Sequence, residues 1–475
     1  MIEDVYPLGP MQQGMLFHVL EAPSNIGAYW AQTLYEFAGG LDVELFKQAW
    51  GVVVKRHAAL RTGFVWEGVD EPLQVVMGGV SVPFEVMDWS DASEETQRAR
   101  LDELLAGDRE RGLDLKAPPL MRLYLLGRGG GRFWLLWSMY QGLFDGWSLP
   151  IVLDEVSLVY DGLCRGGQVA LPVVRPYRDF IAWMQRRESG KAEEFWREYL
   201  AGFEAPTPLP VDRQATAHWS QDRRRVDFSR EVTEGLEQLA RRARVTLGTV
   251  VQAGWALLLS RYSGESDVMF GLTVSGRPAE LAGMESIVGL FINTLPLRAR
   301  VPSDVAFVDW LRELQDNQVA MQRFEYTPLV DVQRYSEIPR GTSLFASTIA
   351  FQNYPGLAED DRKLLFQSSE LLDSIELGNF PISIACLPGD QLALEVEFST
   401  AAFDGATVDR VLEQFARVLG VVAADGGVLV RDVELVSAGD GAELVGWGAG
   451  AAVDGDLVPV GQLVGAVGRD AVAVV

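Results

Sequence analysis

Apolar positions along the chain alternate between helical and strand spacing. From Val43 to Ala59, residues Leu45, Phe46, Trp50, Val53 and Val54 fall on one side, which predicts an amphipathic helix. Ser90, with Glu94 and Glu95 in the turns that follow, predicts the cap of a polar helix running to Gly107. Arg122–Leu126 and Phe133–Trp137 predict two strands around the turn Gly127–Arg132. The second is apolar on both faces and so belongs inside a sheet rather than at its edge. Leu149–Leu163 predicts a helix, which makes Asp145-Gly146-Trp147-Ser148 a strand-to-helix junction.

The second half repeats this mixture. Tyr177–Arg187, Ala192–Leu200, Glu231–Arg244, Leu247–Arg261 and Val408–Leu419 predict helices, as does Pro302–Phe324 with a start near Ser303. Val268–Val274, Phe345–Phe351, Ser383–Leu387 and Leu392–Phe398 predict strands. Helix and strand alternate in both halves, so the expected fold is mixed α/β in two lobes, 1–173 and 174–436. From Ser437 to Val475 the composition shifts to Gly, Ala, Val and Asp, and the chain closes on the strand-like Ala471-Val472-Ala473-Val474-Val475. An apolar strand left bare at a chain end is unusual, and the sequence reads as a piece of a longer polypeptide.

Composition narrows the function. The chain has 475 residues, enough for two domains of about 200 residues each. At 48% apolar it can bury a large core. Its net charge of -25 opposes binding to nucleic-acid backbones and to anionic membrane surfaces. The apolar run Val250–Ser260 is too short to cross a bilayer, and the N-terminus carries no signal core, so a cytoplasmic location is expected. The 2 cysteines, Cys164 and Cys386, read as buried small hydrophobes in a reducing compartment. The 3 histidines, His18, His57 and His218, are too scattered for a metal motif, so no bound metal or cofactor is expected. A general base must be one of these three or another residue type.

Several segments, in order from about Val5 to Val436, resemble the condensation domains of nonribosomal peptide synthetases. Tyr6-Pro-Leu-Gly-Pro-Met-Gln-Gln-Gly-Met-Leu-Phe-His18 is similar to the family's first motif, and Arg56-His-Ala-Ala-Leu-Arg-Thr-Gly-Phe64 to its second. Tyr177–Trp183, Val274-Ser-Gly-Arg-Pro278 with Val288–Thr294, Phe324–Leu329 and Phe351–Pro355 resemble later ones. The resemblance implies two chloramphenicol-acetyltransferase-like lobes forming a V-shaped pseudo-dimer around a central tunnel. Upstream and downstream carrier proteins would deliver an acyl thioester and an amine on phosphopantetheine arms. Residues 437–475 resemble a linker and the start of an adenylation domain.

The family's third motif, HHxxxDG, is altered. The segment is Ser138-Met-Tyr-Gln-Gly-Leu-Phe-Asp-Gly-Trp-Ser148, and Tyr140 and Gln141 stand where the resemblance implies two histidines. No histidine lies between His57 and His218, so no shift of register restores the pair. Gln141 either holds a reactant through its amide or fills space; it cannot act as a base near neutral pH. Tyr140 reads as a packed aromatic. Asp145 and Gly146 read as structural, with Arg277 as the partner of Asp145 implied by the resemblance. Ser275, Asn293 and His18 fall in segments that line the family's tunnel. His57 reads as structural, His218 as solvated, and the runs Arg186-Arg187 and Arg223-Arg-Arg225 as solvated turns. Three functions stay open: amide formation by an altered site, a non-catalytic module that binds carriers or a tailoring enzyme, and a changed reaction on the tethered substrate. A heterocyclising variant lacks its DxxxxD pattern here, and Met11–Met15 resembles an elongation type rather than an epimerising one.

Overall fold

The computed structural model describes residues 1–21, 29–167, 169–213, 221–278, 280–353, 365–366, 369–376 and 380–436. Met1–Val433 forms one compact unit, and Glu434–Val475 is a separate one. His218 and the expected linker at 437–475 lie outside the described residues.

Among the described residues, three sheets organise the large unit. A small antiparallel sheet has the order β1 (Ile2–Pro7), β4 (Leu73–Met77), β3 (Thr62–Val65). A five-stranded sheet has the order β12 (Glu370–Glu376), β2 (Trp30–Phe37), β7 (Arg132–Tyr140), β6 (Met121–Gly129), β5 (Phe84–Asp88). A six-stranded sheet has the order β10 (Asn293–Arg300), β9 (Asp267–Val274), β11 (Ser347–Phe351), β13 (Ile382–Leu387), β14 (Ala393–Ser399), β8 (Gln221–Asp227).

The central place of β7 follows from its sequence. Leu135, Trp137 and Met139 project into one core cluster, and Trp134 and Leu136 into another. The first cluster is closed by α2 (Val43–Arg56), whose Trp50 meets Trp137 edge to face at 4.9 Å, and by α4 (Ser148–Cys164). Asp42 caps α2, its Oδ1 accepting from the Glu44 and Leu45 N–H groups. In the second half, α8 (Leu247–Ser263) is buried on nearly every face among α7 (Arg230–Ala243), α9 (Phe307–Gln322) and α11 (Gly405–Ala424). That all-round burial explains why apolar residues occupy every face of it. Among the described residues no helix is long and apolar enough to cross a membrane.

The structure corrects several sequence expectations. The polar helix α3 (Glu94–Arg111) is capped by Ser93, not Ser90; the Ser90 N–H instead donates to Asp88. Helix α9 starts at Phe307 rather than near Ser303, because Val305 and Ala306 pair with Val430 and Leu429 as extended chain. Arg223, Arg224 and Arg225 form part of edge strand β8 rather than a turn, and they pair with Glu395, Asp222, Asp409 and Asp227. Charge along an exposed strand edge discourages pairing with other chains. Cys164 is exposed, whereas Cys386 is buried and its thiol is pushed up to about 12 by that burial. Strand β12 belongs to the second half of the sequence but is hydrogen-bonded to β2 in the sheet of the first half.

Candidate functional site

Strand β7 ends at Tyr140, and the chain turns there toward α4. Tyr140 is 4% exposed, packs edge to face on Phe64 and has its hydroxyl pKa raised by burial. It is a core aromatic. Gln141 is half-buried; its N–H donates to the Tyr29 carbonyl at 2.8 Å, and its side-chain amide has no hydrogen-bond partner among the described residues. Tyr29 holds that carbonyl from a left-handed backbone, φ 58°. Its hydroxyl lies 2.6 Å from His18 Nδ1, and the two rings stack. His18, near the end of α1 (Pro10–Glu21), is thereby brought against the segment that presents Gln141.

A second clamp holds the next residue. Gln12 donates to the Gly142 carbonyl at 2.9 Å, and its own carbonyl accepts from the Gly9 N–H and from Gln74. Gln74 also reaches the Pro7 carbonyl. Gln12 and Gln74 are 2% and 1% exposed, so their amides depend wholly on each other and on the main chain. Gln12→Ala is expected to lower folding stability by about 1–3 kcal/mol, the usual cost of stranding buried polar partners. A urea midpoint equal to that of the wild type would show that the clamp adds nothing to stability.

Asp145 anchors the far end of the loop. Its Oδ1 meets Arg277 Nη2 at 2.9 Å and accepts from the Ser148 N–H at 3.0 Å, and Ser148 Oγ lies 2.8 Å from it. Its Oδ2 accepts from the Phe291 N–H at 3.1 Å. The Asp145 and Arg277 side chains are 0% and 8% exposed. Arg277 also donates to the Met284 and Ile287 carbonyls and lies 3.9 Å from the centre of the Phe291 ring. Burial pushes the guanidinium pKa down and Asp145 opposes that shift. Gly146 follows at the half-buried turn, and Trp147 Nε1 donates to the Glu285 carbonyl.

Ser275 and Asn293 occupy different settings. Ser275 is exposed on the turn that leaves β9. Asn293 is buried at the start of β10 and donates to the Glu325 and Thr327 carbonyls at 2.9 and 2.7 Å. His57 caps the end of α2 and bonds Glu155, which also accepts from Arg56, so it serves the scaffold. Among the described residues no cluster of His, Cys, Asp and Glu could hold a metal ion.

Four contributors escaped the sequence reading: Gln12, Gln74, Tyr29 and Glu325. Gln12 and Glu325 lie inside quoted motifs, but nothing in those motifs marks which polar residue is buried. Glu325 is half-buried, and its carboxyl is raised to about 7, chiefly by desolvation.

Known proteins resemble this chain in sequence and in fold. The family model described as the condensation domain matches residues 2–445. One component of the linear gramicidin synthase of Brevibacillus parabrevis is 40% identical over 458 residues, which cover 92% of this chain and 6% of that protein. Chondramide synthase of Chondromyces crocatus is 35% identical, over 95% of this chain and 12% of its own length. The chain therefore spans only 6% and 12% of these two curated relatives. Among solved structures, the starter condensation domain of rhizomide synthetase superposes with a TM-score of 0.75 at 20% identity, covering 91% of this chain and 98% of that one. The X-domain from teicoplanin biosynthesis superposes at 0.76 and 21% identity, covering 90% and 97%. Motif order, mixed α/β fold and the match over nearly the whole large unit agree, and the chain belongs to the condensation-domain family of the nonribosomal peptide synthetases.

Proposed function

We propose that this domain joins a donor acyl or peptidyl thioester to an acceptor amine, both held on the phosphopantetheine arms of carrier proteins in the cytoplasm, at a site without the histidine pair. The Asp145–Arg277–Ser148 anchor is the observation that carries this reading. It fixes the loop from Gln141 to Ser148 by buried, charge-assisted bonds, as a site that aligns reactants requires. Alignment contributes more to such a reaction than proton transfer does. Holding two reactants in register gives effective molarities of about 10⁵–10⁸ M. A positioned general base contributes about 10²–10⁴-fold. A thioester is already activated and a neutral amine is already nucleophilic, so the tunnel between the lobes needs chiefly to bring them together. The adenylation domain whose start residues 437–475 resemble would charge the downstream carrier.

Tyr140 and Gln141 favour a second reading, a module that binds carriers without joining their cargo. The two readings separate on variants of residue 141. On the first, Gln141→Ala lowers the rate of dipeptidyl thioester formation less than about 10-fold, below the range of a lost general base. Gln141→His raises it where the new imidazole meets the amine. Loaded carriers, mixed with each variant and followed by mass spectrometry, provide the measurement. A loss above about 100-fold on Gln141→Ala, the range of a lost general base, would contradict alignment as the main source of rate. No product from any form would leave the carrier-binding module.

A further inference from the structure

We propose that His18 and Tyr29 form a positioning pair for residue 141, setting its main chain so that the Gln141 amide meets a tethered reactant. The inference rests on the amide-forming reading above. The sheet supplies the first constraint. Trp30 on β2 faces Tyr140 on β7, and the ladder runs one bond further, from the Gln141 N–H to the Tyr29 carbonyl at 2.8 Å. Tyr29 offers that carbonyl from φ 58°, a conformation that is costly for a residue with a Cβ and persists where its surroundings impose it. Among the described residues the other non-glycine in that region is Arg244, which ends helix α7. Tyr29 is held from its far end instead. Its hydroxyl lies 2.6 Å from His18 Nδ1, and the two rings are 14° from parallel. Burial pushes the Tyr29 hydroxyl pKa up, so the group stays protonated and able to donate.

The chain beyond residue 141 is held as firmly. The Leu143 N–H donates to the Tyr140 carbonyl at 3.1 Å and closes the turn, while Gln12 grips the Gly142 carbonyl. The Tyr140 ring lies against Gly142, where a Cβ would fall 2.2 Å from its Cε1. Helix α1 thus reaches both flanks of residue 141, through Gln12 on one side and through His18 and Tyr29 on the other.

The Gln141 side chain is the exception to this pinning. Its amide has no hydrogen-bond partner among the described residues. Glutamines that serve the scaffold differ: Gln12, Gln74 and Gln97 each donate to main-chain carbonyls. A fixed main chain carrying an unspent amide suits the binding of a neutral hydrogen-bonding group, such as a thioester oxygen or an amine.

Three variants test the pair. Tyr29→Phe removes the hydroxyl and keeps the ring. His18→Leu removes its partner, and His18→Asn keeps an acceptor near the Nδ1 position. Each is made in the wild type and in Gln141→Ala. Both carriers are loaded, and single-turnover product formation is followed against carrier concentration. Tyr29→Phe and His18→Leu should lower the saturating rate to that of Gln141→Ala, a loss of less than about 10-fold, with the half-saturating carrier concentration unchanged. In the Gln141→Ala background they should lower it no further, because the group they position is gone. His18→Asn should restore the wild-type rate. Tyr29→Phe, which deletes a single oxygen, carries the test should His18→Leu fail to fold. Losses that add to that of Gln141→Ala, a weaker carrier affinity at an unchanged rate, or variants as fast as the wild type overturn the proposal and leave amide formation in place. So does His18→Asn as slow as His18→Leu. A wild type without product overturns both readings.

Discussion

Asp145→Ala should lower folding stability by about 3–5 kcal/mol, because it leaves a buried guanidinium without its counter-charge. Arg277 has no other carboxylate within ion-pair distance among the described residues. The Phe291 N–H would lose its acceptor as well, and the Ser148 hydroxyl one of its partners. Urea titration of wild type, Asp145→Ala, Arg277→Ala and the double variant measures the effect. The singles should not add, since each removes the same pair. Additive losses, or an Asp145→Ala protein as stable as the wild type, would show that Asp145 stands free and is available for chemistry.

The second large effect belongs to Gly276. Its φ of +60° lies in the left-handed region, and a Cβ placed there would fall 1.9 Å from the Phe291 carbonyl oxygen. The strain alone costs roughly 1–2 kcal/mol. The collision is with backbone, so the turn itself must move, taking Arg277 away from Asp145. Gly276→Ala should therefore lose both stability and product formation. Gly283→Ala is the control: its φ is +84°, but the nearest neighbour is the Arg175 Cδ at 3.3 Å, on a side chain that can give way. Similar behaviour of the two variants would mean that backbone strain, not the close approach to Phe291, governs this turn.

Much of the scaffold was legible because it obeys local rules. The two-faced apolar run of β7 marked a central strand, and it lies between β2 and β6. The spacing of Leu45, Phe46, Trp50, Val53 and Val54 announced α2, whereas its cap Asp42 went unread. Motif order pointed to Asp145 and Arg277, 132 residues apart. What stayed hidden depends on partners distant in the chain. Strand β8 carries three arginines and reads as a turn until Glu395 and Asp409 are seen beside it. Strand β12 leaves its own half of the sequence to pair with β2, which no local period records. Gln12 looks like any helical glutamine, since its acceptor Gly142 is 130 residues away.

The central claim is that a site with Tyr140 and Gln141 in place of two histidines still joins two tethered substrates. The direct measurement loads an upstream carrier with a donor acyl thioester and a downstream carrier with an aminoacyl thioester, adds the wild-type domain, and follows the downstream arm by intact-protein mass spectrometry. The account predicts a dipeptidyl thioester on the downstream carrier, formed faster than in the same mixture without the domain. Carriers shown to bind the domain yet left unjoined at the background rate would contradict it.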